Sequence, residues 1–487
     1  MPSFAPWTSS WASSLRHVPF RNKPGTRTAA LLFVAGLALL AIRARGERLL
    51  APALPRAAAV LESGTAQPSH AQNVLLHVLL SLLLVILVSR AFGALFRHIQ
   101  QPPVIGEVLA GLALGPSLLG RLAPQVQDFL MPAAIAPQLG LIAQLGILMF
   151  LFLIGLELDT TLLRKHSPST LAISHASMVV PFLAGAALAL WLYPVLSSRE
   201  VGFTSFALFL AASMSVTAFP VLARILGDRG MQRSDLGVIA LACAAVDDVT
   251  AWCLLAVIVG IVRADTGGAL LTLLLTVGYV FAMLRVLRPI IRRLTERERL
   301  RNRSSQGVTA AALVGLFASA LVTEAIGVHA LFGAFLFGVI IPHDSLLARE
   351  LNRRLRDLIV VLFLPAFYAY AGLRLELGWL HTRLDVLYCL VIIGVACAGK
   401  FGGTALAARY TGLPWRDASA LGVLMNTRGL MELIVLHVGL DLGVLSPRAY
   451  SMLLIMAVVT TLLSSPLLAL LRPSPSPAPS LVSARGV

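Results

Sequence analysis

Thirteen runs of apolar residues divide this chain between residues 73 and 471. They fall near 73–96, 103–120, 138–158, 169–195, 203–223, 235–262, 267–284, 307–326, 328–342, 357–373, 384–408, 418–440 and 449–471. A hydrocarbon core offers no water to unpaired N–H and C=O groups, so runs of about 20 apolar residues become helices that satisfy their own backbone. Of the 487 residues 57% are hydrophobic and 13% are charged, more apolar surface than a soluble fold of that size can hide. The expected fold class is all-α, polytopic and transmembrane, with about 13 helices, and no soluble enzyme is expected.

A net charge of +16 would point to nucleic acid in a soluble protein, so the placement of the basic residues decides its meaning. They lie in alternate connectors. Arg97, Arg164, Lys165, Arg224, Arg229, Arg233, eight arginines from Arg285 to Arg303, four from Arg349 to Arg356, Arg409 and Arg416 make twenty on one side. Only six, Arg121, Arg199, Arg263, Arg374, Arg383 and Arg448, fall on the other. Because positive loops stay cytoplasmic, the richer set and the C-terminus are expected inside, most simply in a bacterial inner membrane. Topology accounts for the arginines, and no nucleic-acid partner is expected.

Residues 1–72 read as a basic N-terminal extension. An apolar stretch over 28–42 follows Arg16, Arg21, Lys23 and Arg27, the pattern of a signal-like or additional helix, with an organelle transit peptide as the competing reading. Residues 73–471 form the transmembrane domain, and residues 472–487, with the run PSPSPAPS, read as a disordered cytoplasmic tail. Cys243, Cys253, Cys389 and Cys397 sit inside apolar runs without metal spacing, and the histidines are scattered, so no cofactor is expected.

Three charges lie where charge is hardest to keep. Asp247 and Asp248 are at the centre of the 235–262 run, and Lys400 is near the centre of the 384–408 run. A charge at mid-membrane costs about 2.5–3.5 kcal/mol on insertion scales, which makes such residues functional candidates. Adjacent residues point about 100° apart around a helix, so one carboxylate can meet a partner while the other faces a cavity. Like-charge repulsion, an ammonium partner and desolvation together set where such a pair holds a proton or an alkali cation. The competing reading is an ion bridge that only ties two helices together.

Two apolar runs are interrupted at depth. One carries Ser213-Met214-Ser215-Val216-Thr217-Ala218-Phe219-Pro220, where Pro220 frees a carbonyl beside Ser215 and Thr217, and the other carries Asn426-Thr427-Arg428-Gly429. Interrupted segments in two halves point to a transport site built from discontinuous helices and inverted repeats.

The order of motifs resembles the second family of monovalent cation:proton antiporters, with its plant cation/proton exchanger and potassium-efflux relatives. The resemblance is carried by QPPVIGEVLAG from Gln101 and FLIGLEL from Phe152. SMSVTAFPVLARIL from Ser213, AAVDDVTAW from Ala244, GAFLFGVIIP from Gly333 and NTRGLMEL from Asn426 complete it. It implies a thirteen-helix fold with a dimerisation domain and a six-helix core, in which broken helices five and twelve cross near the acidic pair. It also implies a homodimer and elevator-like alternating access. Asp248 would hold the ion, Asp247 would pair with Lys400, and an acid pair with lysine is associated with two protons per cation. The expected function is secondary active exchange of K⁺ or Na⁺ for protons, with those ions and the bilayer as partners; the alternative is a proton-independent cation channel. Alkali cations at Asp248 and Asp247 are the only metal expected.

Weaker signals remain. Glu107, Glu157 and Glu432 are candidates for a proton pathway, or each bonds a helix end or a basic neighbour such as Arg428. Gly394 to Lys400 resembles part of a phosphate-binding loop, but Phe401 stands where Ser or Thr is required, so no nucleotide is expected. Gly111 and Gly115 give a GxxxG step of close helix packing.

Overall fold

The computed structural model describes residues 25–51, 74–99, 101–157, 168–231, 234–263, 269–301, 306–375, 378 and 382–471. All regular structure among them is helical. The tail at 472–487 and most of the N-terminal extension lie outside the described residues. The stretch 28–42 lies in a helix, Gly25–Gly46, that packs on Pro168–Leu196 and Phe203–Ser215.

The helix order repeats. Val74–His98, the 11-residue Pro103–Ala113 and Ala136–Glu157 are followed by Pro168–Leu196, a broken helix (Phe203–Ser215, then Phe219–Asp228) and Asp235–Arg263. The same series returns as Gln306–Ile326, the 11-residue Ala330–Ile340 and a helix running from Leu346–Leu358 through a π turn into Leu364–Leu373. Arg383–Tyr410, a second broken helix (Trp415–Met425, then Leu430–Asp441) and Pro447–Leu471 complete it. Ala269–Ala282, continuing into Arg288–Arg301, joins the two series, and this single odd helix inverts the second repeat against the first.

Eleven of the thirteen expected runs are long enough to cross a membrane, nine as long helices and two as the broken pairs, of which Trp415–Met425 with Leu430–Asp441 is bent by 44°. The runs at 103–120 and 328–342 differ from expectation. Each holds a helix of 11 residues, which reaches roughly 17 Å, about half of a hydrocarbon core. Gly115-Pro116 and Pro342 stop them, because proline cannot continue a helix.

Val74–His98, the first long helix of the repeats, is inside out by the standards of a soluble protein. It buries Ser81, Val85, Ser89 and Gly93 at four-residue spacing and exposes Leu75, Leu79, Leu83 and Leu87. That arrangement is stable only where the surroundings are as apolar as leucine.

Each short helix packs on the third element of the opposite repeat, Pro103–Ala113 on Leu364–Leu373 and Ala330–Ile340 on Ala136–Glu157. Glycines permit both crossings. A Cβ on Gly372 would lie 2.6 Å from the Gly111 carbonyl carbon, and one on Gly338 would lie 2.9 Å from Gly155 Cα. The six elements that contain the breaks and their flanking long helices gather into a second unit, which touches the first through Tyr450 and Ala371 and through the Arg374–Asp441 ion pair.

Gly338→Ala is expected to destabilise the protein by about 1–3 kcal/mol, the usual cost of overpacking. Gly394→Ala, which meets nothing within 4 Å, is expected to be neutral or slightly stabilising. Unfolding midpoints in detergent compare the two.

Candidate functional site

The two breaks meet. Val216 and Ala218 are extended (φ −69°, ψ 141° and φ −96°, ψ 96°), and the Ala218 N–H donates to the Thr427 carbonyl at 3.0 Å. Pro220 sits in the first turn of Phe219–Asp228, where its missing N–H costs nothing. The interruption therefore precedes the proline, because its ring excludes helical geometry four residues back, at Val216.

A helix that stops inside a membrane leaves carbonyls without partners. Here two buried cations take them. Arg428 donates to the Ser213 and Met214 carbonyls at 2.6 and 2.7 Å, and Lys400 donates to the Ser215 carbonyl. Both side chains are almost fully buried, at 1% and 0% exposure. Each cation then needs an anion. Arg428 lies 3.4 Å from Glu432, and Lys400 lies 3.3 Å from Asp247 Oδ2.

Asp247 is also bonded to hydroxyls. Ser174 donates to Oδ1 at 2.5 Å, while Ser177 and Thr217 reach Oδ2 at 2.9 and 2.8 Å. The Thr217 proton is shared with the Met425 carbonyl at 3.2 Å, and the Ser177 proton with the Ser174 carbonyl at 2.8 Å. Asp248 is different. It is 5% exposed, faces the Phe219 backbone amide at the start of the second half-helix, and its Oδ1 is buried without a hydrogen-bond partner among the described residues. The positive end of a helix favours a carboxylate at that place.

The sequence-selected residues divide clearly. Asp247, Asp248, Lys400, Thr217, Arg428 and Glu432 come together around the crossing. Ser215 and Thr427 contribute backbone, since their hydroxyls donate to their own helices at Ala212 and Leu424. Asn426 Nδ2 lies 3.5 Å from Cys397 Sγ, and its Oδ1 is unpartnered. Glu107 faces Gly93 on the first long helix, with Arg90 and Arg97 as its charged neighbours. Glu157 lies at an exposed helix end, bonded to Asn352 at 2.6 Å and Arg356 at 3.0 Å. Ser174, Ser177 and Thr461, which exchanges hydrogen bonds with the Arg428 backbone at 2.9 Å, were not selected from the sequence. The three-residue spacing of the two serines, one helix face, was the available signal.

Lys400→Gln is expected to cost about 3 kcal/mol, the low end for breaking a buried pair, because three hydroxyls still serve Asp247. Adding Asp247→Asn should cost less than the two single changes summed. Unfolding of the four proteins in detergent gives the coupling.

Residues 78–471 match the family described as "Sodium/hydrogen exchanger, transmembrane". The chain is 41% identical over 406 residues to the Na⁺/H⁺ antiporter NhaS4 of Synechocystis, covering 83% of this chain and 99% of that protein. It is 36% identical over 401 residues to K⁺/H⁺ antiporter 1 of Saccharomyces cerevisiae, covering 80% of this chain and 46% of the yeast protein. Cation/H⁺ antiporter 20 of Arabidopsis thaliana is 36% identical over 397 residues, 79% of this chain and 47% of the plant protein. The chain thus spans about half the length of the yeast and plant relatives. Among solved structures, the sodium proton antiporter MjNhaP1 of Methanocaldococcus jannaschii at pH 8 shares the fold. It has a TM-score of 0.52 at 13% identity, over 81% of this chain and 96% of that one.

Proposed function

Because this chain belongs to the sodium/hydrogen exchanger family, we propose that it exchanges a monovalent cation, K⁺ or Na⁺, for protons, with Asp248 holding each in turn. The observation that carries this reading is the pairing of the buried charges. Lys400 takes Asp247 and Arg428 takes Glu432, which leaves Asp248 as the carboxylate at the crossing without an ion-pair partner among the described residues.

A single carboxylate binds either a proton or an alkali ion, and the two forms carry the same charge. The bare form does not. An unpaired buried carboxylate costs several kcal/mol, and a penalty of about 4 kcal/mol makes an empty crossing roughly a thousand-fold rarer. Movement with the site filled and arrest with it empty is the coupling that alternating access requires. The broken helices supply the moving parts, since their breaks hold the site while the surrounding unit shifts against the first.

Asp247 acts in this reading as the fixed partner of Lys400, and Glu432 as that of Arg428. Thr217, Ser215, Asn426, Thr427 and Pro220 shape the crossing. The membrane is a bacterial inner membrane with the C-terminus cytoplasmic, Gly25–Gly46 adds a span ahead of the shared domain, and two copies form a homodimer. The excess of arginine on one set of connectors supports the orientation.

In everted vesicles with a trapped pH dye, addition of Na⁺ or K⁺ is expected to release protons, and Asp248→Asn should abolish the response while the protein stays folded in the membrane. Ion flux without a pH response would mean a channel. A panel of Li⁺, Na⁺, K⁺ and Rb⁺ in proteoliposomes identifies the ion. A C-terminal fluorescent-protein fusion is expected to fluoresce, and an alkaline phosphatase fusion at the same place to stay inactive.

A further inference from the structure

Lys400 carries a problem that its ion pair does not solve alone. Its ammonium is a cation tethered beside two adjacent carboxylates, and Asp248 lies within its electrostatic reach. A tethered competitor acts at high effective concentration, so an ammonium that leaned on Asp248 would occupy the site in place of the transported ion. Something has to fix which carboxylate it takes.

Pro168–Leu196 supplies that choice. Ser174 and Ser177 are 1% and 0% exposed and sit three residues apart on one face of the helix, directed at Asp247. Ser174 holds Oδ1 at 2.5 Å and Ser177 meets Oδ2 at 2.9 Å, which fixes the plane of the carboxylate. With the plane fixed, Oδ2 faces Lys400 at 3.3 Å, and the Ser215 carbonyl holds the ammonium from a second side. Other buried hydroxyls near the breaks, those of Ser213, Ser215, Thr404 and Thr427, bond to their own helices. The Ser174 hydroxyl is committed to the acid on another helix.

We infer that Ser174 and Ser177 are positioning residues that keep Lys400 on Asp247 and away from Asp248. This rests on the reading of Asp248 as the exchanging carboxylate. Without both hydroxyls the Asp247 carboxylate turns, its grip on the ammonium loosens, and Lys400 competes with the incoming ion. The serines thereby set the apparent affinity for the cation, although they touch neither the cation nor Asp248.

The test compares wild type, Ser174→Ala/Ser177→Ala and Ser174→Thr/Ser177→Thr in the full-length protein. Two readouts are taken with the cation that the panel identifies: the concentration for half-maximal proton release in proteoliposomes, and that for half-maximal thermal stabilisation in detergent. The alanine pair is expected to raise both by about ten-fold, a larger change than in the maximal rate, and the threonine pair, which keeps the hydroxyls, to restore them. Adding Lys400→Gln to the alanine pair removes the competitor and is expected to bring the stabilisation midpoint back down. Unchanged midpoints in a folded alanine pair would overturn the inference, as would a threonine pair that behaves like alanine. A wild type that is stabilised by the cation but releases no protons would overturn the exchange reading alone, since the stabilisation midpoints still decide the role of the serines.

Discussion

The carbonyls of Ser213, Met214 and Ser215, stranded where a helix stops inside an apolar medium, govern the rest of the site. In water such groups would be solvated at no cost; here each requires a donor from the protein. Using Arg428 and Lys400 as donors satisfies the backbone but buries two positive charges. Those charges draw in Glu432 and Asp247, and the hydroxyls of Ser174, Ser177 and Thr217 follow from the need to serve Asp247. One backbone defect thus accounts for most of the polar groups in the centre of the molecule, and the group left over is Asp248, the carboxylate on which the proposed exchange rests.

Much of this was legible in the sequence, because charge in an apolar run is so expensive that its position is informative. The acidic pair, Lys400, the two breaks and the helical class were read from residues alone. The pairing of Asp247 with Lys400, implied by the family resemblance, is present at 3.3 Å. The short helices at Pro103–Ala113 and Ala330–Ile340 were not legible, since hydropathy measures how apolar a run is and not where a proline stops its helix. The break near Pro220 was legible because proline acts on the turn behind it, and the extended residues Val216 and Ala218 lie within the Ser213–Pro220 stretch read as interrupted.

The serines escaped notice because a hydroxyl in an apolar helix usually returns its proton to its own backbone, as Ser213 and Ser215 do. Only the packing of Pro168–Leu196 against Asp235–Arg263 distinguishes Ser174 from them. Glu157 shows the opposite case, an acid near the end of its run for which a proton pathway and a basic neighbour were both open, and it lies at an exposed helix end beside Arg356.

The exchanged packing of the short helices has a consequence for biosynthesis. Pro103–Ala113 meets Val74–His98 through Gly106 as soon as both are made, but its crossing through Gly111 is with Leu364–Leu373, about 260 residues later in the chain. At roughly 5–20 residues per second the first repeat waits between about ten seconds and a minute for the helix that completes it. During that interval a half-length helix sits in the membrane with Val74–His98 on one side, where Glu107 faces Gly93, and without its later neighbour on the other. The first half of this protein is therefore the half most dependent on insertion machinery or lipid to shelter it, and a ribosome that stalls midway leaves behind a product with no means of closing its own fold.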